Sequence, residues 1–130
     1  MSQMILVVED DATMQKMALK ILRSRGFVCD SAPNGRAAVA MAAALKPGLI
    51  LMDLSLPEMN GWEATRALKA DPALAQIPVV AITAHAMVGD RETAIAAGCV
   101  ECLTKPYELD ELIAVADHYV GPAEPQAKIA

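Results

Sequence analysis

The amino-acid sequence predicts an α/β fold, in which a parallel five-stranded sheet is covered by helices on both faces. Three observations support this fold class. Short apolar runs alternate with longer segments whose apolar residues recur at helical spacing. Several of the short runs are apolar at every position, as parallel strands buried on both sides require. The length of 130 residues also suits one compact domain.

The predicted strands are the short runs rich in Val, Ile and Leu that lie between turn-forming residues. In chain order they cover residues 4–8, 27–31, 49–52, 77–82 and 100–103. Strands separated by helices form right-handed crossovers, so their carboxyl ends meet at one edge of the sheet. Because an open doubly wound sheet binds its ligands at that edge, the functional residues are expected just after the strands.

The predicted helices rest on apolar stripes and on end signals. Gly26 stops the first helix, and Asn34 is placed to cap the second. Gly89 lowers the helix propensity of the fourth by about 1 kcal/mol relative to Ala. The apolar stripes lie at residues 14–22, 38–45, 64–68 and 109–116, and the third and fourth helices are expected over residues 61–70 and 87–97.

Composition excludes several classes of function. The net charge of −5 and the lack of a basic run disfavour nucleic acid and anionic membrane surfaces as partners. No apolar stretch approaches the roughly 20 residues that a membrane span needs. The first predicted strand begins at Met4 with no export leader before it, so we expect a cytoplasmic protein. We expect Cys29, Cys99 and Cys102 to be free thiols.

Polar residues follow four of the predicted strands, at the edge where a ligand is expected. Three carboxylates held close together repel one another by on the order of 4 kcal/mol per pair at a dielectric near 20, so they call for a cation. Oxygen-only ligands favour Mg²⁺ over zinc. With Mg²⁺, one carboxylate can attack phosphorus while a hydroxyl and an ammonium neutralise the phosphoryl oxygens. The polar residues at this edge are Glu9, Asp10 and Asp11 after the first strand, Asp53 after the third, Thr83 after the fourth and Lys105 after the fifth.

These residues lie in segments that resemble the four motifs of response-regulator receiver domains. In order along the chain, the segments are residues 7–11 (Val-Val-Glu-Asp-Asp), 51–61 (Leu-Met-Asp-Leu-Ser-Leu-Pro-Glu-Met-Asn-Gly), 82–84 (Ile-Thr-Ala) and 104–106 (Thr-Lys-Pro). The resemblance covers residues 4–119. It implies a flavodoxin-like sheet of order 2-1-3-4-5, with helices one and five on one face and the other three on the opposite face. We expect a receiver domain over residues 1–120 and a mobile tail over 121–130.

The resemblance also implies a role for each site residue. Asp53 would be the phosphoacceptor, and Thr83 and Lys105 would bind the phosphoryl oxygens. Pro106 would follow Lys105 through a cis peptide bond. The implied Mg²⁺ ligands are Asp10 directly, Glu9 through water, Asp53, and Ser55 through its backbone carbonyl.

One position departs from the family pattern. Receiver domains usually carry Tyr or Phe three residues before the lysine, as a ring that moves when the threonine moves, whereas this sequence has Cys102. We therefore hypothesise that Thr83 transmits phosphorylation to the fourth helix through backbone shifts of residues 84–90.

The function implied is that of a stand-alone response regulator. It would take a phosphoryl group from a histidine kinase or a histidine phosphotransfer protein, and signal through protein contacts or onward transfer. It would not be an enzyme beyond its own phosphotransfer and dephosphorylation. The alternatives are a receiver-like scaffold that is not phosphorylated, and an aspartate-nucleophile phosphohydrolase of the haloacid-dehalogenase type. The second lacks its usual acid, because Ser55 stands at that position.

Structural interpretations compete with functional ones at several other residues. Asp11 is expected to cap the first helix rather than bind metal. Cys99 and Cys102 form a C-x-x-C pattern, but its place at a strand favours packing over redox chemistry. Met14 and Met17 are expected in the core, with an exposed apolar edge for a kinase helix as the alternative. Trp62 is expected to be a packing anchor rather than part of a ligand site. His85 is expected at the rim of the site or exposed, and His118 is expected at the surface.

Overall fold

The computed structural model describes residues 4–54, 61–83, 88–105 and 107–121. Within them, strands and helices alternate as predicted, and strand ends differ from the predicted ones by no more than two residues. The strands are β1 (Met4–Val8), β2 (Val28–Ala32), β3 (Leu49–Asp53), β4 (Val79–Thr83) and β5 (Glu101–Thr104). The helices are α1 (Ala12–Ser24), α2 (Gly35–Leu45), α3 (Gly61–Ala70), α4 (Val88–Ala97) and α5 (Leu109–Val120).

The strands form one parallel sheet in the order β2-β1-β3-β4-β5, which confirms the predicted topology. The register brings the strand ends level with one another. Val8 lies beside Met52 of β3, Asp53 lies beside Ile82 of β4, and Thr83 lies beside Thr104 of β5. The first residues beyond β1, β3, β4 and β5 therefore share one edge of the sheet.

Alternate residues of the strands serve two separate cores, as the pleat of a strand requires. Leu6 and Ile50 point into a cluster with α2, α3 and α4, whereas Ile5 and Leu49 point into a cluster with α1 and α5. The predicted arrangement of helices on the two faces is thus confirmed. Because both faces are covered, β3 and β4 are buried along their whole length.

The helix ends follow the predicted capping chemistry. The Asp11 side chain accepts a hydrogen bond from the Met14 N–H at 3.0 Å, and Asn34 caps α2 through the Ala37 N–H at 2.8 Å. Gly26 lies two residues beyond the end of α1 and has a φ of 88°, a conformation that favours glycine after a helix end. Asp11 is therefore a helix cap, as expected.

The other sequence predictions have different outcomes. The core interpretation is wrong for Met17, which is 52% exposed, because it lies on the flank of α1. Trp62 does pack against the core cluster under α2 and α3, and His118 is exposed. The three cysteines are free thiols. Ser55, His85, Pro106 and residues 122–130 lie outside the described residues, and within the described part no helix is long and apolar enough to cross a membrane.

Candidate functional site

The turn after β1 carries Glu9 and Asp10 into very different surroundings. Glu9 is buried, and its backbone N–H donates to the Ala32 carbonyl at 3.1 Å, which extends the pairing with β2 by one residue. Its carboxylate accepts from the Asp11 N–H at 3.3 Å. Asp10 is exposed. The next side chain along α1 to reach the turn is Gln15, whose Nε2 donates to the Glu9 carbonyl at 2.9 Å.

Asp53 and Thr83 are the last residues of the two central strands, and both are buried. Main-chain hydrogen bonds hold the strands together beyond these residues: the Leu54 N–H donates to Ile82 at 3.0 Å, and the Lys105 N–H donates to Thr83 at 2.7 Å. A buried carboxylate and a buried hydroxyl therefore stand at the ends of two adjacent strands.

Gly61 lets α3 begin directly against the end of β3. A Cβ atom added at this glycine would lie 2.8 Å from the Leu54 Cα and still closer to the Asp53 carbonyl oxygen. These are backbone atoms that cannot rotate away. From the sequence, Gly61 is only the end of a motif and the start of a helix, whereas the structure shows that its lack of a side chain permits this close approach to the Asp53 and Leu54 backbone.

Lys105 joins the two buried carboxylates. Its Nζ lies 2.8 Å from Glu9 Oε1 and 3.0 Å from Asp53 Oδ2. The Lys105 side chain is 20% exposed, and the Glu9 and Asp53 side chains are 7% and 4% exposed. With Asp10 included, the site carries three acidic groups and one basic group, so a further cation is electrostatically favoured.

The pKa values of this cluster reflect the competition between burial and pairing. Burial raises the pKa of the Glu9 carboxyl, and the neighbouring Asp53 raises it further against the opposing effect of Lys105. Burial alone lowers the pKa of Lys105, but its hydrogen bonds to the two carboxylates outweigh this effect and raise it. Burial, then the charge of Glu9, raises the pKa of Tyr107, which lies at the same edge. Lys105 is thus firmly cationic.

The three acidic residues are close enough to share one metal ion. One carboxylate oxygen from each of Glu9, Asp10 and Asp53 lies within 4.8 Å of the other two. All three ligands are oxygens and Asp10 is open to solvent, which suits Mg²⁺ because this ion keeps several waters and takes few protein carboxylates. The donor set therefore fits Mg²⁺, with Ser55 outside the described residues.

Comparison with known proteins identifies the family. A family model of the response regulator receiver domain matches residues 5–117. This chain belongs to that family. Polar-differentiation response regulator DivK of Brucella anthropi is 37% identical to this receiver domain over 123 residues, which are 95% of this chain and 100% of the relative. The order of the strands is the one that the resemblance implied.

Solved structures of known proteins are also similar to this chain. The receiver domain of the sensor histidine kinase PA1611 from Pseudomonas aeruginosa, with a magnesium ion coordinated in its active site cleft, has a TM-score of 0.85 and 36% identity, and covers 93% of this chain and 99% of that one. The chemotaxis protein CheY4 of Vibrio cholerae has a TM-score of 0.86 at 23% identity, covering 92% and 99%, and shows the fold alone.

Cys102, which replaces the aromatic residue usual in the family, lies on β5 of this receiver domain. Cys102 is half-buried, lies beside Ala81 of β4, and packs against the core cluster of α2, α3 and α4. No aromatic ring occupies this position. Residues 84–87, which follow Thr83, lie outside the described part of the chain, so transmission through their backbone stays a prediction.

Proposed function

We propose that this receiver domain is phosphorylated on Asp53 in a reaction that depends on Mg²⁺. The observation that carries the proposal is the position of Lys105, whose ammonium lies within 3.0 Å of both Glu9 and Asp53 at the ligand-binding edge of the sheet. This arrangement places a nucleophilic carboxylate beside a fixed positive charge and an acidic metal site. Phosphoryl transfer requires these groups, because its transition state spreads negative charge over three oxygens.

In the proposed step, an oxygen of the Asp53 carboxylate attacks the phosphorus atom of a phosphohistidine. The new bond joins that oxygen to phosphorus, and the bond from phosphorus to the imidazole nitrogen breaks with its electron pair staying on nitrogen. The Lys105 ammonium and the Thr83 hydroxyl donate hydrogen bonds to the phosphoryl oxygens. The product is an acyl phosphate on Asp53 and a histidine free to take up a proton.

The proposed Mg²⁺ ligands are Asp10 directly, Glu9 through water, Asp53, and the Ser55 carbonyl. A bound Mg²⁺ would neutralise charge on the transferred group. The burial of Glu9 and the exposure of Asp10 support these two different roles. Because Lys105 already contacts Glu9 and Asp53, its ammonium must share their oxygens with the metal.

The proposed partner is a histidine kinase or a histidine phosphotransfer protein, and the output is a protein contact or onward phosphotransfer. Phosphorylation then shifts the balance between two conformations of the domain. We place this exchange in the cytoplasm, with residues 1–120 as the receiver domain. The match to the response regulator DivK, which covers 100% of that relative, supports this organisation.

Incubation with acetyl phosphate tests the proposal without the cognate kinase. Intact mass spectrometry should show the gain of one phosphoryl group in Mg²⁺ buffer, none in excess EDTA, and none in Asp53→Asn with Mg²⁺. Thr83→Ala should slow the gain without abolishing it. A wild-type protein that binds Mg²⁺ but gains no mass would favour the scaffold alternative, and steady release of inorganic phosphate from a generic phosphomonoester would favour a phosphohydrolase.

A further inference from the structure

We propose that Gln15 is a positioning residue for the magnesium site, because its side chain holds the backbone from which Asp10 projects. The inference rests on the proposed function for its biological meaning, but it concerns metal affinity and can be measured directly. Gln15 belongs to none of the sequence motifs that point to the site, and the sequence gives it no role beyond the first helix.

Gln15 reaches back from α1 to the turn after β1. Its Nε2 donates to the Glu9 carbonyl oxygen at 2.9 Å, while its own backbone N–H donates to the Asp11 carbonyl at 2.9 Å. A single residue of α1 therefore contacts the turn on both sides of Asp10. The side chain is half-buried, so water competes less for this hydrogen bond than at an open surface.

The Glu9 carbonyl and the Asp10 N–H belong to one planar peptide unit. Because a peptide unit moves as a rigid plane, fixing the direction of the carbonyl also fixes where the Asp10 Cα lies. On the other side, the Asp11 N–H donates to the Glu9 carboxylate at 3.3 Å, and the Asp11 side chain caps α1. The two peptide units that flank Asp10 are thus both held.

The Asp10 carboxylate itself has little to hold it. It is exposed, and among the described residues no hydrogen bond or ion pair fixes its side chain. Its place within 4.8 Å of the Glu9 and Asp53 oxygens consequently depends on the backbone. Loss of the Gln15 hydrogen bond should let the Glu9–Asp10 peptide unit rotate. Binding of the metal must then fix that peptide unit, and the cost of doing so should lower the Mg²⁺ affinity.

The test replaces Gln15 by Met, which has a similar length but cannot donate. The matched control is Ser24→Ala, which removes the hydrogen bond from Ser24 Oγ to the Ile21 carbonyl (2.7 Å) at the far end of the same helix. Isothermal calorimetry with MgCl₂ measures affinity, and urea unfolding in EDTA measures stability. We expect Gln15→Met to weaken Mg²⁺ binding about threefold to tenfold, as the loss of one net hydrogen bond allows. Ser24→Ala should keep the wild-type Mg²⁺ affinity.

A second measurement separates positioning from a general loss of structure. In phosphorylation by acetyl phosphate, Gln15→Met should need more Mg²⁺ for half of the maximal rate, while the rate at saturating Mg²⁺ stays at the wild-type value. Equal Mg²⁺ affinity in Gln15→Met and wild type would overturn the proposal, as would equal weakening in the Ser24→Ala control. A wild-type protein that fails to bind Mg²⁺ would also overturn it, whereas one that binds Mg²⁺ without being phosphorylated would refute only the proposed function.

Discussion

Replacement of Lys105 by Met isolates the electrostatics of the site. Met keeps most of the length and apolar volume of the lysine but removes the ammonium that lies 2.8 Å from Glu9 and 3.0 Å from Asp53. In the absence of metal, the variant leaves two nearly buried carboxylates facing each other without a counter-charge. With Mg²⁺, the ion supplies the missing charge. The variant should therefore be destabilised in EDTA and largely rescued by Mg²⁺.

The size of the effect follows from the burial of the pair. Removing one partner of a buried ion pair costs about 3–5 kcal/mol, and the partial exposure of Lys105 places this site near the lower limit, at about 3 kcal/mol. For a domain of this length, that loss corresponds to a decrease in Tm of roughly 10 °C. Because the ammonium and Mg²⁺ compete for the same oxygens, the variant should also bind Mg²⁺ at least about tenfold more tightly, a difference of about 1.4 kcal/mol.

The pH dependence has a defined sign. The pKa of Glu9 is raised in the folded protein, so protonation of its carboxyl relieves the repulsion. Because Lys105 lowers this pKa, its removal should raise it further, and the deficit of Lys105→Met in EDTA should shrink as the pH falls through the pKa of Glu9 in the variant. In wild type, the raised pKa of Lys105 means that its contribution is complete below the pKa of an unfolded lysine and is lost as the pH rises through the higher folded value. The variant should lack this alkaline loss.

Urea unfolding in EDTA and in Mg²⁺, together with calorimetric titration of MgCl₂, measures these quantities. Lys69→Met is the matched control, because Lys69 is also a partly buried lysine, but it donates to the Ala75 and Ile77 carbonyls at 3.0 and 2.7 Å rather than to acids. It should lose the same stability with and without Mg²⁺. Equal destabilisation of Lys105→Met in the two buffers, or weaker Mg²⁺ binding than in wild type, would refute this account of the site.

Three further substitutions test separate features of the structure. Gly61→Ala should lower the free energy of unfolding by about 1–3 kcal/mol in urea titrations and weaken Mg²⁺ binding, because its Cβ meets the Leu54 backbone; unchanged Mg²⁺ affinity would contradict this. Tyr119→Phe should remove an absorbance transition near pH 12, since burial and the hydrogen bond to Glu101 raise the pKa of Tyr119 to about 12. Asp11→Ala, but not Asp11→Ser, should cost about 1 kcal/mol in EDTA through loss of the helix cap, and equal costs would argue against capping.

Much of the site could be predicted from the sequence, because parallel strands place their carboxyl ends along one edge. For this reason Lys105 lies beside Asp53, and Thr83 ends the strand next to that of Asp53. An Asp directly before a predicted helix was likewise enough to predict that Asp11 is a cap. The register of β1, β3, β4 and β5 then fixes the geometry. Local pattern predicted the strands and helices, whereas the strand order was implied by the resemblance to receiver domains.

Other features depend on packing that a linear pattern does not contain. A helical stripe does not show how far α1 is rotated on the sheet, and the prediction for Met17 was wrong because that residue lies at the flank. The close approach of Gly61 to the end of β3 depends on the angle at which α3 enters. The bond from Gln15 to the Glu9 carbonyl joins a helix side chain to a backbone atom six residues earlier, and no residue type requires it.

The chemical identity of the phosphorylated residue is the most direct test of the central claim. Borohydride reduces an aspartyl phosphate to homoserine, so protein treated with acetyl phosphate and Mg²⁺ can be reduced at once, digested and mapped by mass spectrometry. We expect homoserine at position 53 alone, and none in Asp53→Asn or in EDTA. Homoserine at position 10, or a phosphate that survives reduction on a hydroxyl side chain, would contradict it.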